Sequence, residues 1–299
     1  MATDINVTAW GCRTEDLQAA VDAALQVFHD VEAQCTRFDE QSPLMRANAA
    51  GDAWAPVPTR CFAAVRAASS AYERTDGRFD PRVQADLVRL GYGQSFSFED
   101  EGVRRPGAVT GRDTLPPWAP EFRDTDSSIR IGPHPIDLGG IGKGLAVRWA
   151  SEVLRDVAPN HLIEAGGDCC AAGGAPDGGP WNIGIEDPLG SDQPLLVLAV
   201  RDRAVTTSSI RVRRWQVDGA GVHHLIDPRT GLPADGGLQA VTVVGDDPAD
   251  AEVDAKVFFV GGSDAIAELA ETALACWVLD SGRVFTSALL DECVVWRRP

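Results

Sequence analysis

Two stretches carry residue types suited to chemistry, the first of them to holding a phosphate. In "IDLGGIGKGLAVRWASEVL" (136–154) an acidic residue, Asp137, precedes Gly139, Gly140, Gly142 and Gly144, with Lys143 among them, at the opening of a helix. Glycines admit close backbone approach, and a helix N-terminus turns free N–H groups and the positive end of its dipole toward an anion. The spacing is neither the dinucleotide G-x-G-x-x-G nor the P-loop G-x-x-x-x-G-K-[ST], so a helix entry where glycine relieves crowding is an equal reading. In "HHLIDPRTGLP" (223–233) two histidines adjoin a Pro/Gly turn holding Asp227 and Arg229. A histidine beside such a turn points to function more than to packing.

Three further stretches admit chemistry and a plainer reading side by side. "EAGGDCCAAGG" (164–174) sets Asp168 after a glycine pair at a strand end, where it caps a turn or lines a site. "TTSSIRVRRW" (206–215) offers four successive hydroxyls, read as a turn entering a strand in preference to a phosphate cradle. "VDAKVFFV" (253–260) lays Val253, Val257 and Val260 along one helical stripe, and the preceding Glu252 shares a face with Lys256. Taken alone, that Glu–Lys pair reads as an exposed pair supporting its own helix by a few tenths of a kcal/mol.

The bulk composition bounds the class. Among 299 residues, 27 Lys and Arg stand against 44 Asp and Glu, a formal net charge of −17. Such a surface repels phosphate backbones and anionic lipid, which argues against general nucleic-acid or membrane binding, while a small anion can still bind locally on backbone N–H groups. No apolar run approaches the ~18 residues of a membrane span, and the first residues show no secretory signal. Cys12, Cys35, Cys61, Cys169, Cys170, Cys276 and Cys293 are scattered, with no C-x-x-C pair, so neither a disulfide scaffold nor a zinc site is indicated. Reduced thiols and a cytoplasmic setting are the simplest expectation.

The elements that must position these residues are legible as a coarse outline. The sequence predicts a strand at "INVTAWG" and a helix over 14–38 with Leu17, Val21, Leu25 and Val31 turned inward. A second helix is expected over about 58–74, and two more over 142–157 and 248–260. Polar, Pro- and Gly-bearing sequence from about 99 to 128 predicts a surface excursion or two weak strands. Short β-like runs ("LIEAGG", "WNIGIEDP", "LLVLAV", "AVTVVG") mixed irregularly with helices indicate an α+β fold, with no linker-like boundary in a single domain spanning 1–299.

Taken in order, "RFDEQSPLMRAN", "DGRFDPRV", "DLGGIGKG", "EAGGD", "WNIGIEDP", "VTTSS", "HLIDPRTGLP" and "AEVDAKVFFVGG" resemble the motifs of the ApbE family of FAD:protein FMN transferases, from about residue 1 to residue 262. The resemblance implies a two-lobed α+β fold related to the T-fold, with FAD held in a cleft between lobes. It implies a magnesium-dependent transfer of FMN from FAD to a Thr or Ser hydroxyl of an acceptor flavoprotein, releasing AMP. A FAD pyrophosphatase giving FMN and AMP, and a non-catalytic FAD-binding protein, are the alternatives.

Carried over by position, flavin and nucleotide contacts fall on Phe38, Arg78, Phe79, Asp80, Asp137, Lys143 and Leu225, with His224 and Asp168 as acid/base candidates. The family's cation ligands fall on the carbonyl of Gly140, on Glu252, on the carbonyl of Ala255 and on position 256. Where the family has Asp-x-x-x-Thr, this chain has Glu252-x-x-x-Lys256. A protonated ammonium only donates and cannot ligate a cation. Lys256 is therefore expected to take over part of the cation's role, or else to point outward while water completes the metal shell. Arg82, Gly142 and Glu164 also depart from the family's usual Thr, Ala and Asn, and Met1-Ala2-Thr3 stands where a Met-Gly-Thr segment follows an export signal, which points to cytosolic acceptors.

Overall fold

The computed structural model describes residues 3–11, 14–95 and 104–299; residues 1–2, 12–13 and 96–103, with Cys12 and the start of the polar excursion, lie outside the described residues. The chain gathers into two compact units, each assembled from separated stretches, so no linker marks them in the sequence. The first comprises Met1–Asp30, Lys143–Ser209 and Gly236–Pro299; the second comprises Val31–Gly142 and Ile210–Asp235.

The first unit is built on a seven-stranded sheet whose spatial order is its chain order: Ile5–Trp10, Asn160–Ala165, Asp168–Ala172, Arg203–Ser209, Leu238–Gly245, Ala275–Leu279 and Val284–Thr286. Every pairing is antiparallel. Side chains alternate across a strand, and each strand sends one set to either face. Cys169, Ala171, Val205, Ala240, Val244 and Cys276 share an apolar cluster with Leu196 and Leu198 of a second, three-stranded sheet (Val294–Arg297, Leu196–Val200, Trp181–Ile185). The opposite face meets helices: Cys170 Sγ lies 3.7 Å from Ser151 Oγ of Gly142–Arg155, and Trp277 stacks on Phe258 of Pro248–Gly261 at 6.3 Å between ring centroids.

Helix Pro248–Gly261 starts where its sequence says it should. Asp247 caps it, accepting from Ala249 N and Asp250 N at 2.9 Å each, and Pro248 occupies the first turn. Its apolar stripe is as expected at Val253 and Val257, but Ala249, Ala251, Glu252, Ala255 and Phe259 are buried as well. A helix covered nearly all round leaves no solvent face for a surface ion pair. Gly144 sits where the two helices meet: a Cβ there would stand 2.5 Å from Pro248 O and 2.6 Å from Ala249 Cα, whereas one at Gly142 would meet nothing within 4 Å.

The second unit holds helices Pro43–Ala50, Thr59–Arg74 and Gln84–Arg89, a small sheet in the order Ala55–Pro56, Ser128–Arg130, Glu121–Arg123, and two hairpins, Arg214–Val217 with Ala220–His223 and Ile226–Asp227 with Leu232–Pro233. Leu87, Leu90, Tyr92, Trp215, Val217 and Val222 form one of its cores, with Trp215 Nε1 donating to Leu90 O at 2.6 Å. Its polar excursion ends in the two short strands Glu121–Arg123 and Ser128–Arg130.

Two expectations are corrected. The first long helix runs Thr14–Cys35, and its buried stripe is Ala20, Ala24, Val27, Phe28 and Val31, while Leu17, Val21 and Leu25 are half-buried. Small alanines face the packed side because they allow close approach, which rotates the stripe from the larger residues. The hydroxyl run 206–209 is not a turn but the C-terminal half of the strand Arg203–Ser209. β-branched and small residues fit a strand buried on both faces, and Thr206 and Ser208 are buried there.

The helix contact yields a direct test. Gly144→Ala places a methyl against backbone and is expected to lower stability by about 1–3 kcal/mol or more, whereas Gly142→Ala is tolerated. Chemical denaturation of both variants measures this; equal, small losses would show that the close approach at Gly144 does not matter.

Candidate active site

In the first unit four charged side chains converge on the helix-covered face of the large sheet. Lys143, at the start of Gly142–Arg155, bonds through Nζ to Asp168 Oδ2, and its Nζ is 3.8 Å from Glu252 Oε1. Lys256 Nζ is 3.1 Å from the same Glu252 oxygen, one helical turn along from Glu252. Glu252 Oε2 accepts from Gly144 N at 2.8 Å, and Asp168 Oδ1 accepts from Thr207 N at 3.1 Å. The close helix approach that only glycine permits at position 144 is thus what brings its N–H to the carboxylate.

The two signs of charge lie at different depths. Asp168 and Glu252 are each 1% exposed, while the Lys143 and Lys256 side chains keep 17% and 19% of their surface. Burial by itself pushes the Glu252 carboxyl up, but Lys256, Lys143 and the Gly144 N–H outweigh it and hold the group below its ordinary value. A floor of acids beneath two ammonium groups presents positive charge to whatever enters. The pair at Glu252 and Lys256 is therefore not the exposed surface pair that helical spacing alone suggests.

In the second unit Asp137 and its neighbours form another group. Asp137 Oδ2 is paired with Arg37 Nε at 2.7 Å, its Oδ1 accepts from Gly139 N at 2.5 Å, and its own N donates to Pro81 O at 2.7 Å. Arg37 was not singled out by the sequence motifs; it is buried, its guanidinium lying 4.2 Å from the Phe38 ring centroid and 4.3 Å from that of Tyr92. Phe38 is 43% exposed, available as an aromatic face. Asp80 is bound by Arg82 through both oxygens, Nη2–Oδ2 at 2.6 Å and Nε–Oδ1 at 2.9 Å. Arg82 therefore occupies the carboxylate it follows. Phe79 is buried and Arg78 exposed.

The turn bearing His224 also belongs to the second unit. His224 is half-buried with Nδ1 3.4 Å from Arg213 O, Leu225 is buried, and the neighbouring His223 lies 3.1 Å through Nε2 from Ala234 O. Asp227 is held by Arg229 within the turn. The turn is anchored from a place no motif indicated: Asp86, fully buried, pairs with Arg89 at 2.7 Å and with Arg112 at 2.9 Å, and Arg89 Nη2 donates to Gly231 O at 2.8 Å. Gly140 lies in the tight turn closed by Gly142 N donating to Leu138 O at 2.7 Å.

The sequence model of the ApbE family matches residues 1–278. The chain belongs to the ApbE family. Among ApbE relatives it is similar to the FAD:protein FMN transferase of Treponema pallidum (strain Nichols), 30% identical over 270 residues that cover 83% of this chain and 72% of that protein. The FAD:protein FMN transferase of Haemophilus influenzae is 27% identical over 278 residues, 90% of this chain and 78% of that one. The crystal structure of the ApbE protein from Thermotoga maritima matches with a TM-score of 0.80 at 26% identity, over 99% of this chain and 96% of that chain. The flavin transferase ApbE from Vibrio cholerae shares the fold, with a TM-score of 0.73 at 23% identity over 98% and 96% of the two chains.

Within this ApbE chain the late helix does not fit a magnesium ion. An octahedral shell needs oxygen ligands at about 2.0–2.1 Å, yet one Glu252 oxygen is bound by an N–H and the other faces two ammonium groups. A divalent ion about 4 Å from one ammonium is repelled by about 8 kcal/mol at an effective dielectric of about 20. Among the described residues no group of three or more His, Cys, Asp and Glu gathers as metal ligands.

The ion cluster predicts a signed pH effect. Because the folded Glu252 carboxyl is held below its ordinary value, its contribution to stability is complete above the unfolded value of about 4.3 and shrinks as pH falls through the folded one. Glu252→Ala is expected to cost about 3–5 kcal/mol at neutral pH. The stability gap between wild type and Glu252→Gln should be constant above about pH 5 and narrow below it. Denaturation at a series of pH values checks this, and a gap that widens on acidification contradicts it.

Proposed function

We propose that this chain transfers the FMN portion of FAD to a Thr or Ser hydroxyl of an acceptor flavoprotein, releasing AMP. The observation that carries the reading is the pair of partly exposed ammonium groups set over buried carboxylates at the entry of helix Gly142–Arg155. A pyrophosphate bridge is the part of FAD such a site suits, and the family membership supports the same substrate.

In this reaction the acceptor hydroxyl oxygen attacks the FMN-side phosphorus, and the bond from that phosphorus to the bridging oxygen breaks. AMP carries the bridging oxygen away. The hydroxyl proton passes to Asp168 or to His224, each a group able to accept it. Lys143, fixed by Asp168, supplies positive charge to the phosphoryl oxygens as the bond breaks. Phe38 and the Arg37–Asp137 pair are assigned to holding the flavin and nucleotide. The residues of the late helix do not make a shell for magnesium, and the positive charge at the phosphoryl oxygens comes from the chain's own ammonium groups.

The partner is a protein that lays a short hydroxyl-bearing segment over the site, and the contact is transient. No helix of the described residues is long and apolar enough to cross a membrane. Cys35, Cys61, Cys169, Cys170, Cys276 and Cys293 are free thiols, which supports a reducing, cytoplasmic setting for that acceptor.

The test is incubation with FAD and an extract of the host cells, followed by chromatography for AMP and fluorescence of denatured protein bands. AMP release matched by flavin fixed to protein is expected. Free FMN with AMP would make the enzyme a FAD pyrophosphatase instead, and intact FAD that stays bound would make it a carrier. Lys143→Ala should lower AMP release about 10²-fold or more, with FAD binding retained in equilibrium dialysis.

A further inference from the structure

We infer that this site carries its cation as part of the chain: the ammonium of Lys256 stands in for a divalent metal, and the transfer proceeds without one. The inference rests on the function proposed above for the same site.

Glu252 is the one acidic side chain of the late helix buried in the cluster, and both its oxygens are engaged. Oε2 accepts the Gly144 N–H at 2.8 Å, and Oε1 lies 3.1 Å from Lys256 Nζ and 3.8 Å from Lys143 Nζ. A metal entering here would have to displace two ammonium groups, Lys256 on the largely buried helix Pro248–Gly261 and Lys143 at the entry of Gly142–Arg155. The helical spacing of four residues fixes Lys256 against Glu252, so the charge is preorganised.

The charge count agrees. Lys143 and Lys256 balance Asp168 and Glu252, so the cluster needs no added ion for neutrality. Two of the three N–H donors of Lys256 meet Glu252, at Oε1 and at its backbone carbonyl 3.5 Å away. The third, on a side chain that keeps 19% of its surface, is left to bond a phosphoryl oxygen. Replacing Lys256 by a neutral hydroxyl residue removes one positive charge and the nearer of the two ammonium groups at Glu252 Oε1, and supplies an oxygen, which opens the same position to a cation.

Isothermal titration of the full chain with MgCl2 tests this without relying on turnover. Wild type and Lys256→Arg are expected to show no binding up to millimolar Mg²⁺, and Lys256→Thr to gain it. In parallel, AMP release from FAD is followed in a host-cell extract dialysed against EDTA. Wild type should retain its rate in the chelator, Lys256→Thr should lose about 10²-fold there and recover on adding Mg²⁺, and Lys256→Arg should stay metal-independent. Submillimolar Mg²⁺ binding by wild type, or abolition of its AMP release by EDTA, overturns the inference. Should no AMP form under any condition, the proposed function falls, while the titration of wild type still decides the question of the cation.

Discussion

The buried carboxylate of Glu252 is the constraint around which the first unit is arranged. An ionised carboxylate at 1% exposure is costly unless its oxygens are paired. Pairing is supplied from two helices: the Gly144 N–H and Lys143 at the entry of one, and Lys256 one turn along the other. Those partners are available only if the helices approach closely, and that approach is set by the absence of a side chain at Gly144. Asp168 then fixes Lys143 and ties the cluster to the sheet through Thr207 N. Net stabilisation from such a cluster is small, since desolvation offsets most of the attraction. What it does is hold two positive charges in one arrangement.

That arrangement reconciles a formal net charge of −17 with an anionic substrate. The long-range field of the protein repels anions, but the field close to the site is set by what stands nearest the surface. Here the acids are beneath and the ammonium groups above. A metal site of the same residues would need the reverse order, with carboxylate oxygens facing the ligand.

The second unit uses the same device at Asp86 and Asp137. Asp86 gathers Arg89 and Arg112, and through Arg89 it reaches the Gly231 carbonyl, so the histidine-bearing turn is positioned by a carboxylate far off in sequence. Asp137 is aligned by Arg37, whose guanidinium lies over the Phe38 and Tyr92 rings. Arg82 closes on Asp80 in a two-residue fork, with Nε and Nη2 each reaching a carboxylate oxygen. In each case a carboxylate or turn owes its orientation to an arginine, and at Asp86 the arginines, Arg89 and Arg112, lie outside every quoted motif.

Much of the fold and part of the site were legible in the residues. Helix Pro248–Gly261 is announced by its Asp247 cap and Pro248, and helix Thr59–Arg74 by its apolar spacing, because both signals act over a few residues. The ordered motifs identified the family for the same reason: each is a short run with its own backbone requirement. The hydroxyl run 206–209 was misread because a hydroxyl suits a turn or a buried strand equally, and only pairing with Leu238–Gly245 decides between them. The stripe of the first long helix was misjudged because periodicity favours large residues, while close packing selects alanines.

The sequence by itself determined the residue types, the i,i+4 spacing of Glu252 and Lys256, and the order of the motifs. Only the tertiary structure decided that Glu252 is buried, that Gly144 and Lys143 join Lys256 around it, and that both its oxygens have partners within the chain. Spacing is a local property of one helix. Burial and charge pairing join segments far apart in the chain, Gly144 and Glu252 being 108 residues apart, and no local signal carries that information.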